Sequence, residues 1–159
     1  MSSFGLNASE ILDYQANRNP YLMFDKVLEV VPGESCVGVK NLSQNEWYFP
    51  VHFPNDPCMP GFLQAEAMTQ VCALTILTLD GNKGKVVLLL SCENLRLFKK
   101  VRPGDVMIIK TKLLSYRHGI AKGCGRCYVE DKLVSEATIS FTLSESEERQ
   151  QLIPKMRNI

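Results

Sequence analysis

Pro60-Gly61-Phe62-Leu63-Gln64-Ala65-Glu66-Ala67-Met68-Thr69-Gln70-Val71-Cys72-Ala73-Leu74-Thr75-Ile76-Leu77-Thr78-Leu79-Asp80-Gly81-Asn82 is the stretch on which the fold turns. Pro60-Gly61 is an entry signal and Asp80-Gly81-Asn82 a stop. Residues 62–79 between them carry neither proline nor glycine, and the spacing predicts one helix of about five turns. On a wheel of about 100° per residue, Phe62, Leu63, Ala73, Leu74, Ile76 and Leu77 cluster on one side. Gln64, Thr75 and Thr78 gather roughly opposite as a more polar edge. A helix this apolar must be wrapped by a sheet or by a partner.

The flanks supply the sheet. After the helix, residues 86–91, 106–115, 120–129 and 133–143 read as strands, with turns at Arg102-Pro103-Gly104-Asp105 and Glu130-Asp131. Before it, residues 21–31 and 36–42 read as a hairpin about Pro32-Gly33. Asn7 and Glu10 mark the start of a short helix over 8–16. Residues 45–61 hold Pro50, Pro54, Pro57 and Pro60 among Trp47, Tyr48, Phe49 and Phe53, which excludes regular helix or central strand. A loop this long inside a compact domain is usually functional. Antiparallel strands around one early apolar helix imply an α+β class. One domain over 1–159 is expected, with a solvated polar tail over 144–159 that includes the charge run 145–149.

Composition narrows the function classes. The 159 residues are 45% hydrophobic and 22% charged, with a formal net charge of +1. That is globular, and no global field attracts nucleic acid. Neither a secretory start nor an apolar run of about 20 residues occurs, so a cytoplasmic address without a membrane span is expected. Cys36, Cys58, Cys72 and Cys92 are too scattered for a disulfide framework. Cys124-Gly125-Arg126-Cys127 lies in a strand-like run that turns its two thiols to opposite faces, which suits neither zinc nor redox chemistry.

Three residues stand out chemically. Glu66 falls near the middle of the apolar stripe, where a carboxylate is costly unless bonded or protonated. Burial would raise its pKa and the nearby helix N-terminus would lower it. Gln70, four residues on, is placed to orient it. His52 sits in the rigid aromatic loop, where a neutral imidazole can take a proton, whereas His118 falls in a turn between Arg117 and Gly119. Gly61 opens the helix, and its N–H can face a carbonyl that gains charge. Each also has a plain reading, as a surface Glu, a surface His and a simple helix entry.

Residues 52–70, His-Phe-Pro-Asn-Asp-Pro-Cys-Met-Pro-Gly-Phe-Leu-Gln-Ala-Glu-Ala-Met-Thr-Gln, resemble the signature of the (3R)-3-hydroxyacyl-[acyl-carrier-protein] dehydratases of type II fatty acid synthesis. Residues 18–27, Arg-Asn-Pro-Tyr-Leu-Met-Phe-Asp-Lys-Val, resemble that family's opening strand, and residues 98–105 its turn before the long strands. The resemblance runs from about Arg18 to Leu143. It implies a hot-dog fold, an antiparallel sheet wrapped around a long central helix. It also implies that His52 abstracts the C2 proton and Glu66 protonates the departing 3-hydroxyl. Gly61 N–H would hold the thioester oxygen and Gln70 would steady Glu66. Related dehydratase–isomerases carry Asp at the helix carboxylate, so Glu66 points to the simple dehydratase branch. No metal or other cofactor is implied.

The implied substrate is an acyl chain linked through phosphopantetheine to acyl carrier protein. The two catalytic residues of one site come from different subunits in that family, which implies a homodimer or a hexamer built as a trimer of dimers. Lys99, Lys100, Arg102, Arg117 and Lys122 form a basic set near strand ends that could meet an acidic carrier, or be a solvated edge. The chain departs from the pattern at Asn55, where glycine is usual, at Asn19, where an aromatic is common, and at the bulky Phe62. A hot-dog thioesterase and a non-catalytic acyl-binding subunit stay open as alternatives.

Overall fold

The computed structural model describes residues 2–144. The charge run 145–149 and the tail expected beyond it lie outside the described residues. Seven strands and two helices follow in the order β1 (Phe4–Leu6), α1 (Ala8–Tyr14), β2 (Lys26–Val31), β3 (Ser35–Asn41), α2 (Gly61–Leu77), β4 (Val86–Leu97), β5 (Val106–Arg117), β6 (Ile120–Val129) and β7 (Lys132–Ser144). They build one antiparallel sheet in the order β1-β2-β3-β5-β6-β7-β4, curled around α2. This is the hot-dog arrangement expected.

Helix α2 is buried from Gln64 to Leu77 except at Glu66. The polar edge read from the wheel does not face solvent: Gln64 and Thr75 are buried, while Phe62, placed on the apolar side, is 80% exposed. Helical periodicity marks an exposed face only when one exists, and here the sheet encloses the helix. Buried threonines are tolerated because they bond to their own helix, Thr69 Oγ1 donating to the Ala65 carbonyl at 2.9 Å and Thr75 Oγ1 to Cys72 at 2.7 Å.

The sheet comes close because it lacks side chains where α2 presses. A Cβ on Gly38 would lie 2.7 Å from Val71 Cγ2, on Gly123 2.5 Å from Cys72 Sγ, and on Gly125 2.7 Å from Met68 Cβ. Strand glycines cost backbone entropy and lose a packing side chain. At these positions they admit the helix.

Several expected boundaries move. Strand β1 was not anticipated; it pairs with β2. The first helix ends at Tyr14 rather than Ala16, because Gln15 is extended and caps it. Strand β2 begins only at Lys26, since the Met23 N–H goes to the Gln70 side chain instead of a ladder. Strand β4 reaches Leu97 rather than Ser91, bent by register shifts at Leu89/Ser91 and Glu93/Arg96. The turn at Glu130-Asp131 has positive φ at both residues (48° and 61°), the mirror-image turn that suits a hairpin. His118-Gly119 joins β5 to β6 in the same way, which gives His118 an exposed turn role.

Candidate active site

His52 is held at three points. Its N–H donates to the Tyr48 carbonyl at 2.8 Å, and its carbonyl accepts from Cys58 N–H at 2.9 Å. Its Nδ1 lies 2.9 Å from the Cys58 carbonyl oxygen. A carbonyl can only accept, so in the neutral ring Nδ1 carries the hydrogen and Nε2 keeps a free lone pair. The Phe53 ring stacks on the imidazole at 4.2 Å between centroids.

The loop around it is rigid for reasons visible residue by residue. Tyr48 and Phe49 are buried and pack edge to face at 4.8 Å. Buried Lys40 ties the loop's start through Glu46 at 2.5 Å and reaches Asp25 at 3.5 Å. Met59 N–H donates to the Val101 carbonyl at 2.8 Å. Asp56 accepts from Arg102 at 2.7 Å and from Lys100, and these two cations hold its carboxyl below the usual range, Lys100 contributing most.

Glu66 lies in a separate cavity of about 380 Å³, lined by Asn17, Tyr21, Thr69, Gln70 and the residues 86–89 that open β4. Its Oε1 accepts from Gln70 Nε2 at 2.8 Å. The Gln70 amide cannot flip. Its Oε1 accepts from Met23 N–H at 2.9 Å, and its Nε2 also donates to the Tyr21 carbonyl at 2.8 Å. Burial raises the Glu66 pKa, and the Gln70 bond opposes it more weakly. Glu66 is the sixth residue of α2, beyond the first turn where the dipole acts, so desolvation prevails.

Gly61 is the first residue of α2, after Pro60, which offers no side-chain cap. Leu63 and Gln64 N–H both donate to the Pro60 carbonyl, at 3.0 and 3.2 Å. Among the described residues nothing accepts from the Gly61 N–H. A Cβ at Gly61 would collide with Cδ1 of the exposed Leu97 of β4, so that side chain would have to turn aside.

Within one chain His52 does not line the Glu66 cavity. His52 belongs to the loop before α2, and Glu66 to the cavity between α2 and the start of β4. The expected basic set also divides. Lys100 and Arg102 join Asp56 beside the His52 loop, and Lys99 is next in chain, whereas Arg117 ends β5 and Lys122 pairs with Ser115 near that end. A 12-residue strand separates the two groups by roughly 35 Å, too far for one patch. A larger concavity of about 620 Å³ on the sheet's outer face gathers Arg96, Lys110, Lys112 and Arg126 around Glu136, away from both candidate groups.

Residues 16–138 match the sequence profile of the FabA-like domain. The chain belongs to that family. Among curated proteins, this FabA-like chain is 37% identical over 140 residues to the 3-hydroxyacyl-[acyl-carrier-protein] dehydratase FabZ of Clostridioides difficile, covering 88% of this chain and 99% of the relative. It is 40% identical over 143 residues to the FabZ of Bacillus cytotoxicus, covering 90% and 99%. Among solved structures, the dehydratase heterocomplex ApeI:P of Xenorhabdus doucetiae shares the fold with a TM-score of 0.70 at 17% identity, over 90% of this chain and 96% of that one.

Sequence reasoning missed three contacts that hold these residues in this FabA-like chain. The Cys58 carbonyl sets the His52 tautomer, the Met23 N–H fixes the Gln70 amide, and Asp56 clips the loop. The first two act through the backbone and leave no residue-type signal. Asp56 stood in the quoted signature as an acid within reach of no predicted partner. Cys127 is buried and Cys124 half-buried, on opposite faces of β6.

Proposed function

We propose that this chain removes water from 3-hydroxyacyl thioesters carried on acyl carrier protein, in fatty acid or related acyl-chain synthesis. Its curated relatives are named for dehydration of such substrates. The observation that carries the assignment of roles is the division between the two groups. One is an imidazole whose Nδ1 is committed and whose Nε2 is bare. The other is a carboxyl group that burial makes a weaker acid than an exposed one, held by Gln70. Elimination needs one base and one acid, and a bare imidazole nitrogen and a carboxyl group are the residue types that supply them.

In the forward direction His52 Nε2 takes the C2 proton, and the electrons of the C2–H bond form the C2=C3 double bond. The C3–O bond breaks, its electrons stay with oxygen, and Glu66 supplies the proton that lets it leave as water. The Gly61 N–H, at the positive end of α2, stabilises charge on the thioester oxygen. Gln70 positions Glu66 without touching the substrate.

The complete site lies between two chains on this reading. One protomer brings His52 and its partner brings Glu66. The unpaired edge of β4, with Leu88, Leu89 and Leu90 exposed, supports a second copy there, and so does the 80% exposed Phe62 beside Gly61. A dimer is the smallest unit that suffices, and a trimer of dimers repeats it. Lys99, Lys100 and Arg102, three of the five basic residues, lie beside the His52 loop and would be the ones to meet an acidic carrier.

The test is hydration of a crotonyl thioester, followed by loss of enoyl absorbance, on both acyl carrier protein and coenzyme A. Wild type should hydrate it, and His52→Ala should lose at least about 10²-fold in rate. Thioester hydrolysis without hydration, retained in His52→Ala, would instead establish a thioesterase. No turnover with any acyl length would favour a binding subunit.

A further inference from the structure

We propose that the Tyr21 hydroxyl, with the Asn17 side-chain amide beside it, binds the 3-hydroxyl as it departs and the water it becomes. The inference rests on the dehydratase reading above and adds a residue to it. The polar lining of the Glu66 cavity is small and mostly spoken for. Thr69 Oγ1 donates to the Ala65 carbonyl, and both ends of the Gln70 amide are engaged. The remaining polar residues of that lining are Glu66, Tyr21 and Asn17, against an apolar wall of Val86, Val87, Leu88 and Leu89, and Tyr21 is 48% exposed in the single chain. No hydrogen bond within the described residues engages the Tyr21 phenol or the Asn17 side chain.

Tyr21 is also well placed in the backbone. Its carbonyl accepts from the same Gln70 nitrogen that donates to Glu66. One amide therefore fixes the acid and the tyrosine together. The Glu66 charge is felt at the phenol, whose proton is held more tightly for it, after the larger effect of partial burial. The phenol thus stays an O–H donor at working pH.

A leaving hydroxyl gains negative charge until Glu66 protonates it. A donor aimed at that oxygen stabilises the transition state more than the ground state, and holds the product water where the reverse reaction needs it.

Wild type and Tyr21→Phe are compared on two thioesters of one carrier, 3-hydroxybutyryl and 3-chlorobutyryl. Hydroxide must be protonated to leave, whereas chloride departs unprotonated. The phenylalanine keeps the ring and the carbonyl that binds Gln70. Tyr21→Phe should lower kcat for the hydroxy substrate about 10- to 100-fold with KM little changed, and leave the chloro substrate and the melting temperature as in wild type. Equal losses on both substrates would make Tyr21 a structural support and overturn the proposal, as would no loss on either. If wild type itself eliminates nothing from either substrate, the dehydratase reading has failed and this inference falls with it.

Discussion

Glu66 and Gln70 are one helical turn apart, and their bond gives the acid both its position and a measurable pH dependence. Burial raises the folded-state pKa of Glu66 above its ordinary 4.5. The protonated group therefore contributes to stability fully below that value, and the contribution is lost as pH climbs through the raised value. Near neutrality the buried carboxylate is a liability that an amide would not be. Glu66→Gln should melt above wild type near pH 8, converge with it near about pH 4, and lose at least about 10²-fold in dehydration rate. Equal melting temperatures across that range would contradict the burial argument. Gln70→Leu should cost about 2–5 kcal/mol by urea titration, because it strands the Met23 N–H and the Tyr21 carbonyl. It also removes the donor that opposes burial, so the high-pH limb of the rate profile, where Glu66 loses its proton, should move upward.

Helix α2 and strands β3 and β6 fit because three glycines vacate the surface the helix occupies. Gly125→Ala puts a methyl group into Met68 and should destabilise by about 1–3 kcal/mol, read from the urea midpoint. Gly104, exposed in a turn with nothing near a Cβ position, lies outside this packing. At this scale much was readable beforehand. Pro60-Gly61 and Asp80-Gly81-Asn82 bracket α2 within two residues, and Glu130-Asp131 marks its hairpin. Elsewhere the local signal was overridden. Residues 21–25 are apolar like a strand, yet their backbone serves the Gln70 amide. Gln64 and Thr75 read as a surface because periodicity cannot distinguish a solvated edge from polar side chains bonded inside an enclosed helix. The role of Gly38, Gly123 and Gly125 appears only when the helix is laid against them.

Taken as a molecule, the chain holds His52 outside the cavity that Glu66 lines, and it leaves a sheet edge unfinished. Leu88, Leu89 and Leu90 are consecutive, so they occupy both faces of β4, and all three are exposed. No single surface of one chain covers them. Leu90→Lys, outside the Glu66 cavity, should therefore convert the assembly to monomers by sedimentation, with native circular dichroism and dehydration below detection. Retained assembly with full activity would exclude this edge as the interface. The resemblance of residues 52–70 singled out His52 and Glu66 in the sequence and implied that the two groups of one site come from different chains. The bonds that hold them were not legible there, because the Cys58 carbonyl and the Met23 N–H act through the backbone and leave no residue-type signal. The most direct measurement mixes two inactive variants, His52→Ala and Glu66→Gln, under conditions that exchange subunits. Each hybrid dimer then holds one site with both groups intact, and random exchange should restore about a quarter of wild-type dehydration. Activity that stays at the level of the separate variants, with exchange verified, would contradict a site shared between chains.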